Sequence, residues 1–291
     1  MRSESVMFDL ILEFARRENR VRAVYLNGSR ANPNAPRDIM QDYDVVYVVT
    51  EIRPYREDPS WIAAFGEIAV MQEPDNSALF DDGFDPDERY AYLMQFTDGV
   101  RIDLSFQSIS FAQSACLEDK LTVPLLDKDG LLPPIPPPTD EDYRVKRPTA
   151  EQYAGCCNEY HWVSTYIAKG LWRGELLYAI DHFNLYARPM LLKMLEWMAG
   201  CSAGFCVNTG KCNKYLPRYI PKEMWERLLS TYPPMEPQAM WTALFTMSEL
   251  FDQAAVQVGN ALGFCYNQEE SQRTRRYLEQ VRDDRFGTSA E

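Results

Sequence analysis

The sequence predicts an α+β chain in two parts, a mixed-sheet domain over residues 1–135 followed by a helical domain over residues 136–291. Three observations predict it. Short, β-branched, alternating runs bounded by turn residues fill the first part. Long segments with apolar residues at helical spacing fill the second. Between them, Pro133, Pro134, Pro136, Pro137 and Pro138 crowd into six residues, which no helix interior or central strand accepts and which stiffen into an extended spacer.

Taken in order, Val6, Met7, Leu10, Ile11 and Phe14 predict a helix over 3–18. Strands over 22–27 and 43–49 follow, joined by a Gly-Ser turn and a polar loop punctuated by Pro33 and Pro36. Trp61, Ile62, Phe65 and Ile68 predict a second helix. Residues 75–88, with Asp81, Asp82, Gly83, Asp85, Pro86, Asp87 and Glu88, read as a solvated loop. Strands over 90–97 and 100–106 meet at Asp98-Gly99, a hairpin signal. A short helix near 110–118 and a strand over 121–126 complete the first domain. Beyond the prolines, helices are predicted over 149–169, 174–198, 221–231, 236–262 and 268–282, with a frayed tail after Arg285.

Composition narrows the function. The chain is long enough for two domains with cores of their own, and its 46% hydrophobic and 25% charged content is ordinary for a globular protein. Acidic residues outnumber basic ones 43 to 30, a net charge of −13. Binding a nucleic-acid backbone needs clustered Lys and Arg, so that partner is disfavoured, whereas an acidic cleft attracts a cationic small molecule. The N-terminus leads into an amphipathic helix rather than a leader, and no apolar run is long enough to cross a membrane. Seven cysteines in no regular framework fit reduced thiols, so a cytoplasmic location is expected. Cys201, Cys206 and Cys212 lack the spacing of a zinc knuckle and have no histidine nearby.

The chemistry gathers around 27–49. Side chains two apart on a strand share a face, so Asp42 and Asp44 present paired carboxylates, and Asp103 on a later apolar strand supplies a third. Three carboxylates at one spot repel each other unless a cation sits between them, and hard oxygen donors are what Mg²⁺ takes when it also holds phosphates. Gly28 lets a ligand approach the backbone, Ser29 offers a hydroxyl to a phosphate oxygen, and Arg30 could clamp a phosphate with two donors. The set reads as a metal-dependent nucleotidyl-transfer site.

Asn27-Gly28-Ser29-Arg30-Ala31-Asn32-Pro33-Asn34 and Gln41-Asp42-Tyr43-Asp44 resemble the signature of the aminoglycoside 6-adenylyltransferases, within the DNA polymerase β-like nucleotidyltransferase superfamily. The resemblance continues through Asp98-Gly99-Val100-Arg101-Ile102-Asp103, Cys157-Asn158-Glu159-Tyr160, Ala168-Lys169-Gly170-Leu171-Trp172-Arg173 and Trp241-Thr242-Ala243-Leu244-Phe245. It implies a polymerase β-like first domain that binds Mg-ATP and a helical domain that binds the drug. It implies transfer of AMP to the 6-hydroxyl of streptomycin, with release of pyrophosphate and antibiotic resistance as the outcome. By the resemblance, Asp42, Asp44 and Asp103 are the Mg²⁺ carboxylates and Ser29 holds phosphates. The expected partners are ATP and streptomycin, without nucleic acid or membrane, for a monomer or weak homodimer.

Two carboxylates compete as the general base: Asp103, and Glu159 between Tyr160 and Trp162, where burial could raise its pKa. Lys211, after Gly210, suits a phosphate contact, whereas Lys169 and Arg173 read as a solvated or ion-paired couple and Lys128 as a turn residue. Carboxylates and aromatic faces complement a guanidinium-bearing drug, which makes Glu88, Glu175, Asp181 and Trp172 candidates. His182 reads as structural, and Tyr178, Phe183 and Tyr186 as a core stripe. Two rivals remain: adenylylation of another hydroxylated antibiotic or small molecule, and a non-catalytic nucleotide-binding partner protein.

Overall fold

A computed structural model describes residues 1–79, 83 and 85–284. The loop acids Asp81 and Asp82 and the tail from Arg285 lie outside the described residues. The chain divides into two compact units, Met1–Asp142 and Tyr143–Glu291.

The first unit runs α1 (Glu4–Arg17), β1 (Val21–Asn27), the single turn α2 (Gly28–Ala31), β2 (Tyr43–Val49), α3 (Arg53–Glu57), β3 (Ile68–Gln72), β4 (Arg89–Phe96), β5 (Arg101–Ser108), α4 (Ile109–Ala115) and β6 (Val123–Asp127). Ser3 caps α1 by accepting from the Val6 N–H, and Lys128 closes its other end by donating to the carbonyls of Ala15 and Glu18 at 2.7 and 3.0 Å. The strands form one sheet in the order β3-β4-β5-β2-β1-β6. Every neighbouring pair is antiparallel except β2 and β5, which run parallel at its centre.

Alternation along the strands sorts the faces. Val24, Leu26, Val45, Tyr47, Ile102, Leu104 and Phe106 pack with Met7 and Ile11 of α1 in the larger core. On the other face, Ala23, Tyr25, Val46 and Val48 pack with Ala112 of α4 and Cys116 at its C-terminal cap, joined by Leu132 and Ile135 of the proline-rich stretch. That smaller cluster leaves out Asp44 and Asp103, which share its face. The hairpin turn at Gly99 takes a φ of +89°, which glycine alone adopts without cost.

One expected element differs. In place of a helix over Trp61–Ile68 there is a 3₁₀ helix, Pro59–Phe65, and then β3 on the sheet edge. Asp58 caps it by accepting from the Ser60 N–H, and Gly66 at φ +126° ends it. The tight helix therefore stops before Ile68, which pairs with Phe96 of β4 instead.

The second unit is helical: α5 (Ala150–Trp172), α6 (Leu176–Asp181), α7 (Arg188–Ser202), α8 (Lys222–Ser230), α9 (Pro237–Leu262) and α10 (Gln268–Arg282). Thr149 and Gln152 form a reciprocal capping box at the start of α5, and Gly263 at φ +77° ends α9. The core packs α5 against α6, α7, α9 and α10 through Tyr160, Ile167, Phe183, Leu195, Leu244 and Phe251. A π-helical stretch, His182–Ala187, joins α6 to α7. Here Ala179, Phe183 and Ala187 point inward, while Tyr178 and Tyr186 stay 40% and 49% exposed, so the expected aromatic core stripe reduces to Phe183. Tyr178 and Tyr186 lie four residues either side of His182 and pack on its ring, one position off the inward row of Ala179, Phe183 and Ala187. Among the described residues, no helix is long and apolar enough to cross a membrane.

Candidate active site

Two strand pairings assemble the site. The antiparallel register sets Asn27, at the end of β1, beside Asp44, so the Gly28-Ser29 turn opens next to the carboxylates. The parallel register sets Asp44 directly beside Asp103. One alternation earlier on the same face stand Asp42 and Arg101, so three acids and one guanidinium occupy neighbouring corners. Gly28 has a φ of +71°, and a Cβ there would fall 2.1 Å from the Asp44 Oδ2. Only glycine allows that carboxylate to lie against the turn.

Burial pushes the Asp44 carboxyl up to about 6, with the charges of Asp103 and Asp42 adding to the effect and Arg101 and Arg30 opposing it. Arg101 grips Asp103 with two hydrogen bonds of 2.8 Å, from Nε and Nη2, and its Nε lies 3.7 Å from the Asp42 carboxylate. Two buried acceptor oxygens near these acids, Asn27 Oδ1 and Gln41 Oε1, have no hydrogen-bond partner. A cluster of hard oxygen donors with excess negative charge suits a divalent cation. As the side chains stand, however, no group of three His, Cys, Asp or Glu among the described residues is gathered to hold a metal ion. Arg101 already supplies positive charge within the cluster.

The remaining predicted residues fall in different surroundings. Ser29 follows Gly28 in the turn, its hydroxyl accepting from the Gln41 Nε2 at 3.4 Å. Arg30 is buried and engaged: it donates to the carbonyls of Asp42 at 3.0 Å and Gln41 at 2.8 Å, lies 3.4 Å from Glu4, and stacks 3.8 Å over the Tyr43 ring. Its donors brace the 41–42 backbone rather than project as an open clamp. Glu159 is exposed on α5 rather than buried between Tyr160 and Trp162. Lys211 is exposed at the start of a one-turn 3₁₀ helix, Lys211–Asn213, after Gly210 at φ +73°. Both belong to the second unit, whereas Gly28, Ser29, Arg30, Asp42, Asp44 and Asp103 belong to the first.

Among the drug-side candidates, Glu88, Glu175 and Asp181 are exposed, and Trp172 donates its indole N–H to Asp284 at 2.7 Å. His182 packs within 4.1–5.5 Å of the Tyr178, Tyr186 and Tyr166 rings, tilted against the first two and edge-on to the third, its Nδ1 2.8 Å from the Tyr178 carbonyl. Lys169 and Arg173 line a 220 Å³ pocket with Trp172, Tyr277 and Val281. The residue that sequence reasoning passed over is Arg101. The period-two rule that paired Asp42 with Asp44 also places Arg101 on the face of Asp103.

Comparison with known proteins adds an independent line. The family model described as streptomycin adenylyltransferase matches residues 1–281. An aminoglycoside 6-adenylyltransferase of Bacillus subtilis (strain 168) is 40% identical over 270 residues, covering 91% of this chain and 93% of the relative. One from Campylobacter jejuni is 39% identical over 266 residues, covering 91% of each. The crystal structure of an aminoglycoside 6-adenyltransferase from Bacillus subtilis matches 97% of this chain and 99% of its own at 35% identity, with a TM-score of 0.48.

Proposed function

Since the chain belongs to the streptomycin adenylyltransferase family of nucleotidyltransferase enzymes, we propose that it transfers AMP from Mg-ATP to the 6-hydroxyl of streptomycin, releasing pyrophosphate and conferring resistance in the cytoplasm. The observation that carries the reading is the side-by-side placement of Asp44 and Asp103 on parallel strands, with Asp42 on the same face and the Gly28-Ser29 turn alongside.

In this reading Asp42, Asp44 and Asp103 hold the Mg²⁺. The ion, when bound, neutralises triphosphate charge and favours in-line attack at the α-phosphorus. Gly28 leaves the backbone open to the phosphates, and the Ser29 hydroxyl donates to one of their oxygens. Arg30 keeps the Gln41-Asp42 backbone in place, so that Asp42 faces the site. The proton leaving the drug hydroxyl passes to a carboxylate, either Asp103, once released from Arg101, or Glu159 of the second unit.

The test is pyrophosphate release from Mg-ATP with streptomycin, spectinomycin, kanamycin or lincomycin added separately. Release with streptomycin alone is expected. Release with a different drug moves the substrate and keeps the chemistry, whereas silence across the panel with ATP still bound rejects streptomycin and points to another acceptor or a nucleotide-binding protein. Asp42→Asn is expected to abolish release without altering the circular dichroism spectrum.

A further inference from the structure

The cluster contains its own cation. Arg101 is paired through two 2.8 Å hydrogen bonds with Asp103 and approaches Asp42 at 3.7 Å, and its charge also acts on Asp44. Three like charges therefore coexist around one guanidinium. Among the described residues its hydrogen bonds and ion pairs go to the two aspartates, it is partly solvent-exposed, and it lines a 370 Å³ cavity with Arg37, Asp38, Gln41, Gly99 and Val100. The guanidinium has room to leave without unpacking the core. By contrast, Arg30 close by is buried and tied to two backbone carbonyls, which fixes it as a brace.

We propose that Arg101 is a displaceable internal counter-ion, which keeps the aspartates together before a divalent cation arrives and gives up Asp42 and Asp103 when it binds. Arg101 is thus a positioning residue that sets how tightly and in what order the metal enters. The inference rests on the reading of Asp42, Asp44 and Asp103 as metal carboxylates. A cation and a guanidinium that compete for the same oxygens are linked reciprocally, so removing one strengthens the other.

The experiment is Mn²⁺ titration without nucleotide, followed by electron paramagnetic resonance, on the wild-type protein, Arg101→Gln, Arg101→Lys and Arg101→Gln/Asp44→Asn. Loss of the competing charge is expected to tighten Mn²⁺ binding about ten-fold in Arg101→Gln, the scale of one charge-assisted pair. Arg101→Lys, which retains the charge, stays near wild type, and the double variant loses the gain. Far-ultraviolet circular dichroism confirms that each variant is folded. Equal affinity in wild type and Arg101→Gln, or weaker binding in the latter, overturns the counter-ion role and leaves the metal site standing. No Mn²⁺ bound by either protein, under conditions where ATP binds, overturns the metal site and the inference with it.

Discussion

Asp44 concentrates the conflict between stability and function in one side chain. Its folded-state carboxyl titrates near 6, above its ordinary value, so the stability it contributes is full below about pH 4 and lost as pH rises past 6. Asp44→Asn is neutral at every pH. The variant is therefore expected to be more stable than the metal-free wild type above pH 6, by roughly 3 kcal/mol, with the gap closing on acidification. It should also be inactive. Thermal melts from pH 4 to 8 check the first point, and an Asn variant less stable at pH 8 would show that the carboxylate is not under strain. Gly28→Ala tests the neighbouring contact: a Cβ cannot share the place of the Asp44 oxygen, and the left-handed φ adds about 1 kcal/mol. Transfer should fall sharply, while the melting temperature drops only modestly. At this scale the sequence displayed the aspartates and the glycine, because period-two spacing and a turn signal are local. It did not display that Arg30 is buried or that Glu159 is exposed, since burial depends on neighbours distant in sequence.

At the scale of elements, the helices of the second unit were nearly all readable from apolar periodicity, which depends on each segment alone. The edge strand β3 was not. Its residues are partly or largely exposed and do not alternate, so the Trp61–Ile68 spacing imitated a helix. The π-helical stretch likewise leaves no mark on composition. A polar network ties α10 to its neighbours: Tyr266 donates to Asp252 of α9 at 2.5 Å, Ser271 of α10 donates to the same carboxylate at 2.7 Å, and His161 Nε2 of α5 lies 3.1 Å from the Tyr266 hydroxyl. Burial lowers the His161 pKa despite the nearby Asp252 and Glu270, which keeps the ring neutral at physiological pH. Tyr266→Phe leaves both partners short of a bond and is expected to cost about 1–2 kcal/mol, with faster amide exchange confined to α10 and the facing turn of α5. Uniform exchange across the unit would contradict that local role. Cys156 and Cys157 of α5 are buried, and burial pushes both thiols up to about 12. The exposed Cys206, Cys212 and Cys265 should react with a disulfide reagent in the native protein, and Cys156 and Cys157 only after unfolding.

For the molecule as a whole, the net charge of −13 acts over distances longer than any contact. A polycationic acceptor is drawn towards such a surface, and salt screens the attraction. The apparent KM for the proposed acceptor, streptomycin, is therefore expected to rise several-fold between about 0.05 and about 0.3 M salt, with kcat changing less. An unchanged KM would assign recognition to short-range contacts alone. The parallel pairing of β2 and β5 has a consequence of a different kind, in time rather than in space. Antiparallel neighbours can zip from a turn, but these two strands are joined through α3, a 3₁₀ helix, β3 and β4, so their meeting closes a long loop. Asp42 and Asp44 therefore lack Asp103 and Arg101 until β5 docks. A nascent chain that ends before Arg101 can form β1, the Gly28 turn and β2 and still hold no complete site, and during refolding the divalent-ion binding proposed for these acids should emerge after most of the helix signal has returned.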